Sequence, residues 1–337
     1  MWIVRPARHE DLAGIEQLAV GQGARVSTLP QSRDKLAEKI DQSQRALAGD
    51  SELRGRERFL FVLEETDSGE ILGSAGIDAR AGCGQPFYNY RLDELIHSSH
   101  ELDISQRVDI LYLTHELTDT TLLCSFTLQP DLRDTSAFEL LSRSRILFIE
   151  QNRELFSDRV IVEIQGVQDA EGQSPFWDSL GRHFFEMDFA TADYYSGIKS
   201  KTFIAELMPP HPIYVTLLSE AAQDALGQPH EAAHQTCQLL EREGFRPGKH
   251  VDIFDGGPTF EAHTDELGSI KRRRLKSVKV GEASRGVKYL VANTGMADFR
   301  CTLANLNEGV GEVIRLKPEI AQALDVADND TVSLVAV

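Results

Sequence analysis

The spacing of apolar and polar positions divides the chain into a readable order of elements. Residues 2–6 (WIVRP) read as a short strand, and Asp11 caps a helix with Leu12, Ile15, Leu18 and Ala19 on one face. Thr28, Leu29 and Pro30 break the chain, and residues 32–48 form a second amphipathic helix through Leu36, Ile40 and Leu47. Residues 59–63 and 71–77 read as strands joined by the TDSG turn at 66–69, a hairpin signal. The aromatic run FYNY at 87–90 is read as strand packing, with a pocket lining as the other use of such residues. Residues 108–114 give another strand.

Residues 120–149 (TTLLCSFTLQPDLRDTSAFELLSRSRILFI) are the segment around which the rest is organised. Positions 122–128 are apolar enough for a buried strand. Pro130 ends it, and Asp131, Arg133 and Asp134 make a polar turn. From Ser136 onward Phe138, Leu140, Leu141, the aliphatic stem of Arg145 and Phe148 recur at helical spacing. A strand, a turn and a helix start present free backbone N–H groups and the positive end of the helix dipole, which together can hold a phosphate. The same pattern is also an ordinary βα unit, and no glycine stands between Pro130 and Leu141.

Downstream, residues 159–166 (RVIVEIQG) predict a strand, and Ser174 with Pro175 opens a helix. Residues 203–208 read as a strand, followed by a fixed turn at PPHP, 209–212. The segments PFWDSLGRHFF and QTCQLLEREGFRPGKHVDIFDGGP share an apolar helix, a glycine and an aromatic residue leading to a strand. That echo is read as partial duplication, against two unrelated glycine-capped helices. The basic run KRRRLK at 271–276 reads as a solvated face, with contact to a phosphate group as the other reading. Short strands at 276–280, 288–292, 299–303, 313–316 and 331–337, with a helix at 318–324, predict a small β-rich end.

Composition narrows the class. The 337 residues are 41% hydrophobic and 26% charged, enough for a substantial core and about two domains. A net charge of −18 argues against nucleic acid or anionic membrane as partner. The four cysteines, Cys83, Cys124, Cys237 and Cys301, lack metal spacing, so a reducing cytoplasm is expected. Arg5 and Arg8 interrupt any signal-like apolar run, and no stretch approaches the ~20 apolar residues of a membrane span.

The order β-α-α-β-β-β-β-α resembles the GNAT-type acyl-CoA N-acyltransferase superfamily. Longer strings sharpen the likeness: IVRPA, the turn at 28–30, SPFWDSLGRHFF, FIAELMPPHPIYVTLL, GQPHEA and VDIFDGGPT resemble the arginine N-succinyltransferase family, most of all its alpha chains. The resemblance implies an α+β fold with a mixed, largely antiparallel sheet. It divides the chain into an acyl-CoA unit at 1–200, a continuation at 201–265 and a β-rich end at 266–337. It implies transfer of succinyl from succinyl-CoA, a co-substrate with no cofactor bound permanently, to the α-amino group of L-arginine or L-ornithine. A homo-oligomer, or a hetero-oligomer with a sister beta subunit, is the implied assembly. The competing readings are another amine or acyl donor, and a structural or regulatory subunit deficient in CoA binding.

The same resemblance places the site residues. The family's phosphate turn is commonly Arg-x-x-Gly-x-Gly; here Arg133 holds the arginine position, while Ser136 and Phe138 replace the glycines. The acyl-CoA contact on the fourth strand falls at Phe126 and the proton donor at His230. Amine attack on a thioester makes an oxyanion and expels a thiolate, so a group titrating near neutrality has a task there. His230 is otherwise a loop histidine beside Pro229. A backbone N–H near Phe126 is placed to polarise the carbonyl. A guanidinium needs carboxylates, and the candidates are Glu163, Glu206 and Asp252, or Asp255 if it does not cap a turn. Arg133 and Arg182 are the candidate partners of the succinyl carboxylate. Cys124 reads as core rather than nucleophile.

Overall fold

Local chemistry sets the first elements of the computed structural model, which describes residues 1–21, 29–198, 202–282, 286–307 and 311–337. The chain break expected at Thr28 falls on a residue outside that set. In chain order the structure runs β1 (Trp2–Pro6), α1 (Leu12–Gly21), α2 (Arg33–Leu47), β2 (Arg58–Glu65) and β3 (Ile71–Asp78). Then come β4 (Asn89–Ser99), β5 (Ile104–Thr114), β6 (Thr121–Leu128), α3 (Ser136–Gln151) and β7 (Arg159–Glu163). Short helices follow: α4 (Pro175–Ser179), α5 (Arg182–Phe185), α6 (Phe189–Ile198) and α7 (Thr202–Leu207). After them lie β8 (Ile213–Tyr214), α8 (Glu220–Ala225), α9 (His234–Glu243), β9 (Arg246–Val251) and β10 (Pro258–His263). The chain finishes with α10 (Gly268–Lys271), β11 (Arg274–Val280), β12 (Val287–Ala292), β13 (Cys301–Leu306), β14 (Val313–Leu316), α11 (Pro318–Leu324) and β15 (Thr331–Ala336).

The chain divides into two compact units. The first contains residues 1–80, 121–158 and 263–337, and the second contains 81–120 and 159–262. In the first unit the strand order is β14-β11-β15-β12-β13-β1-β2-β3-β6. Only β11 with β14 is parallel among its registered pairs; β1 pairs antiparallel with both β13 and β2. The C-terminal strands therefore extend the sheet begun by the N-terminal ones. The second unit has the order β7-β10-β9-β4-β5-β8. The fold is α+β with largely antiparallel pairing.

Aromatic packing fixes α3 against the first unit's sheet. Phe148 lies 4.9 Å from Phe59, 4.9 Å from Phe61 and 5.2 Å from Phe299, ring to ring. All four rings are buried, and edge-on pairs of this kind add to the stabilisation from area alone. In the second unit Tyr90, Phe176, Trp177, Phe185 and Phe254 form the centre of the core. The aromatic run at 87–90 is thus packing: Phe87 and Tyr90 are buried and Tyr88 lies against the same cluster.

One element differs from its sequence reading. Residues expected to be a strand at 203–208 form helix α7, with the Met208 N–H bonded to the Ile204 carbonyl at 2.8 Å. Ile204 and Met208 are four apart and both buried in the aromatic core. A short apolar run carries both periodicities, and tertiary packing chose the helical one.

Candidate functional site

In the first unit the candidate residues lie along β6, the turn after it and the start of α3. The register between β3 and β6 passes from Ser74–Thr127 to Gly76–Cys124. Ser125 and Phe126 therefore both stand opposite Ala75, a β-bulge. Ser125 has φ of +51°, a left-handed conformation rare for a residue with a side chain. The Ser74 hydroxyl donates to its carbonyl at 3.1 Å. A Cβ at Gly76 beside the bulge would stand 3.1 Å from the Cys124 sulfur and 3.2 Å from the Ser125 Cβ, a tight fit that glycine relieves. Cys124 is buried, and burial raises its thiol above the ordinary value, as suits a core residue.

Pro130–Leu132 is a single turn of tight helix, and Thr135 caps α3. The Thr135 hydroxyl accepts the Ala137 N–H at 3.2 Å, and its carbonyl accepts that of Phe138 at 3.2 Å. Two first-turn donors are thereby engaged within the turn itself. Phe138 is 5% exposed, and its ring meets Phe126 edge-on at 5.4 Å. The ring therefore belongs to the packing between α3 and β6. Lys288 of β12 donates to the Ser136 hydroxyl at 2.6 Å, which adds a cation to the positive end of α3. Arg133 is half-buried in the turn.

The charge that sequence reasoning missed here is Arg145. The apolar pattern uses only its aliphatic stem, yet the whole residue is 4% exposed. Its guanidinium donates to the carbonyls of Gly76 and Cys124 at 3.4 Å each and to that of Ser142 at 3.3 Å. The Phe126 ring lies over it, 5.2 Å from the guanidinium carbon to the ring centre. The available signal was an arginine four residues from both Leu141 and Ile149, on the face that must face the sheet.

In the second unit the GQPH loop is pinned from two sides. The His230 N–H donates to the Gln165 carbonyl at 2.7 Å, Pro229 bridges to Gly166, and the Gly227 N–H donates to the Gly256 carbonyl at 2.8 Å. The backbones are so close that a Cβ on Gly257 would stand 2.2 Å from the Ile164 carbonyl oxygen, and one on Gly166 2.5 Å from that of Asp255. Only glycine fits either place. The buried Asp255 carboxyl accepts the Gly166 N–H at 2.7 Å and the Gly257 N–H at 2.8 Å. Burial, and next the Asp252 charge, push it well above the usual carboxylate range.

His230 caps the short turn Glu231–Ala233, with Nδ1 accepting the Ala232 N–H at 3.1 Å. A ring nitrogen that accepts carries no proton, so neutral His230 holds its proton on Nε2. Asp252 Oδ1 accepts the N–H groups of Phe254 at 2.7 Å and Asp255 at 3.0 Å. Glu163, at the end of β7, accepts from the Asn89 side chain at 2.8 Å. The backbones that carry these residues are joined by the His230 N–H to the Gln165 carbonyl, the Asp252 N–H to the Gly257 carbonyl and the Ile164 N–H to the Pro258 carbonyl. Glu206 is exposed on α7, apart from these residues in the chain and with no bonded partner among the described residues. Arg182 is exposed and reaches Asp178 at 3.5 Å. On β9 His250, which no sequence pattern marks, is buried with neither ring nitrogen hydrogen-bonded; a carboxylate oxygen of Glu116 is 3.4 Å away.

Among the described residues no cluster of three or more His, Cys, Asp or Glu could hold a metal ion, and no helix is long and apolar enough to cross a membrane.

A family model described as "Arginine N-succinyltransferase beta subunit" matches residues 2–269, and one for its C-terminal domain matches 271–336. The chain is 43% identical, over 100% of both chains, to a Pseudomonas aeruginosa protein named arginine N-succinyltransferase subunit alpha. It is 40% identical to an arginine N-succinyltransferase of Yersinia pseudotuberculosis, covering 100% of this chain and 98% of that one. A solved structure, of arginine/ornithine succinyltransferase subunit AI from Pseudomonas aeruginosa, superimposes with a TM-score of 0.93 at 40% identity, over 100% of this chain and 98% of that one.

Proposed function

This chain belongs to the arginine N-succinyltransferase family, and we propose that it transfers the succinyl group of succinyl-CoA to the α-amino group of L-arginine. The end-to-end likeness to proteins of that name is the observation that carries the reading. The residues fit the acyl end of such a substrate well. The β6 bulge takes Phe126 out of one-to-one pairing with β3, which suits its N–H to polarise a thioester carbonyl. At the phosphate end the fit rests on Lys288, Arg133 and the start of α3 in place of glycines.

Attack by the amine nitrogen forms the N–C bond and places the carbonyl pair on oxygen, where the Phe126 N–H stabilises it. Return of that pair breaks the C–S bond. As the C–S bond opens, the His230 Nε2–H donates a hydrogen bond to the departing sulfur, and the proton shed by the new amide nitrogen moves to that sulfur to complete the thiol. Of the three carboxylates, Glu206 has no partner among the described residues and is open to a guanidinium, whereas Asp252 and Glu163 already accept hydrogen bonds. With Arg133 at the phosphate end, Arg182 is the remaining candidate for the succinyl carboxylate.

The test is release of free CoA thiol from succinyl-CoA, dependent on L-arginine and compared with L-ornithine. It is run with the chain alone and with a sister subunit. No release above background in either case would overturn the reading. A second reading, a subunit that assembles with an active sister but does not bind CoA itself, is favoured by the glycine-free turn whose donors are engaged by Thr135. A rise in melting temperature with CoA excludes it, since a ligand that binds only the folded state must stabilise it.

A further inference from the structure

Arg145 is a buried charge for which the mechanism above has no use. No carboxylate pairs with it among the described residues, and its acceptors are all neutral: the carbonyls of Gly76, Cys124 and Ser142 and the Ser142 hydroxyl. An uncompensated cation in a core is costly, and an aliphatic residue of similar volume at this position of α3 would avoid the cost. Two of its bonds go to a particular pair. Gly76 and Cys124 are the residues whose pairing closes the bulge on the side away from Thr127. One guanidinium nitrogen bridges their two carbonyls at 3.4 Å each, while the next residue, Ser125, takes its positive φ. The planar group also lies beneath the Phe126 ring. Arg145 therefore touches the backbone just before the bulge and the side chain just after its strained residue.

We propose that Arg145 is a positioning residue for acyl transfer: it clamps the β6 bulge so that the Phe126 N–H is held where a thioester carbonyl develops negative charge. This rests on the assignment of Phe126 to the acyl-CoA contact. A bulge without the clamp can relax toward regular pairing with β3 and move that N–H. A misplacement of about 1 Å is enough to cost about 100-fold in rate. The guanidinium itself lies under Phe126 and makes no contact with substrate in this role.

The test compares Arg145→Met, which keeps the stem and removes the charge, with Arg145→Lys, which keeps a point charge. Both are assayed where the unaltered chain turns over succinyl-CoA. For Arg145→Met the expected result is a fall in kcat of about 10- to 100-fold, with KM for both substrates within about threefold of the unaltered chain. Lysine, which can still reach one carbonyl, restores part of the rate. Ser74→Ala removes the hydroxyl bonded to the Ser125 carbonyl. It gives a smaller kcat loss with the same unchanged KM, and keeps the test open if the methionine variant does not fold. An unchanged kcat per folded molecule in the lysine and Ser74 variants overturns the proposal. So does a loss confined to KM for succinyl-CoA, which marks Arg145 as a direct ligand. Absence of turnover by the unaltered chain removes the functional reading first, and this inference with it.

Discussion

In the first unit the irregular backbone at the β6 bulge is held by a cation that donates: Arg145 reaches the carbonyls of Gly76, Cys124 and Ser142. In the second unit the irregular backbone around the GQPH loop is held by acids that accept: Asp255 takes the N–H groups of Gly166 and Gly257, and Asp252 those of Phe254 and Asp255. The choice follows which backbone groups each turn leaves unpaired, carbonyls in the one and N–H groups in the other. It also sets the response to pH. Burial brings the Arg145 guanidinium down only to about 10, so it stays charged at any working pH. The second region holds a carboxyl raised by burial and, on β9, an imidazole lowered by it. The first clamp is constant across the physiological range, and the second unit holds groups whose protonation folding shifts.

The largest effect expected is at His230, where the second region is assigned its chemistry. His230→Ala lowers kcat by about 10²–10⁴-fold, the usual loss on removing a general acid or base. Alanine also removes the cap on Ala232, a loss of about 0.5–2 kcal/mol of stability. His230→Asn separates the two roles, because its side-chain oxygen replaces Nδ1 as acceptor while nothing replaces Nε2. The expected outcome is wild-type stability with the alanine variant's rate. If the asparagine variant turns over normally, His230 is a cap and nothing more, and the second region has no claim on the proton.

The two regions also differ in how far the sequence disclosed them. The strings RVIVEIQG and VDIFDGGPT carry glycines at 166 and 257 that close backbone approach demands, and glycine is visible as a letter. The same holds for α3 and for α11, whose start at Pro318 and end at Leu324 follow from proline at the first turn and a broken apolar period. Arg145 was hidden because a long stem satisfies the apolar pattern whether its head snorkels to water or stays inside, and one-dimensional spacing does not distinguish the two. The part of β4 beyond Tyr90 escapes the pattern for a related reason. Its residues RLDELIHSS are half-buried or exposed throughout, so no clean alternation marks them. The register of β3 on β6, and with it the bulge, depends on partners 50 residues apart. A single segment does not encode it.

Phe138 sharpens the contrast from the side of the first unit. Motif comparison sets it where a phosphate-binding glycine would stand, yet its ring is packed on Phe126. Phe138→Ala is therefore expected to cost about 3–5 kcal/mol, the cost of a large buried side chain with its cavity, measured by chemical denaturation. Phe138→Gly adds about 1 kcal/mol for glycine inside a helix. Neither change improves CoA binding, because neither clears space in front of the turn. Ser136→Gly is the variant that does. A Phe138→Gly protein of unchanged stability and tighter CoA affinity would place the ring in the ligand's space after all.

The smallest expected effect tests a group of the second unit whose protonation folding shifts. His250 is buried, with both ring nitrogens unbonded, and burial lowers its pKa against the smaller opposing pull of Glu116. In the unfolded chain the imidazole takes up its proton near pH 6.5. As pH falls below that value the unfolded state binds a proton that the folded state refuses, so stability declines. The slope is at most about 1.4 kcal/mol per pH unit, until the lowered folded pKa is reached. Asp255 works in the opposite sense: its carboxyl is raised on folding, so its contribution is full below about pH 3.9, the unfolded value, and fades as pH rises through the folded one. A pH profile of the unaltered protein mixes the two. His250→Gln leaves Asp255 in place and removes only the imidazole, so the difference between the two proteins' denaturation profiles isolates it. The difference should be flat above pH 7 and should grow below pH 6.5 in favour of the glutamine variant. Parallel profiles from pH 7 to pH 5 would mean that His250 is as readily protonated folded as unfolded. The asymmetry between the two regions would then rest on Asp255 alone.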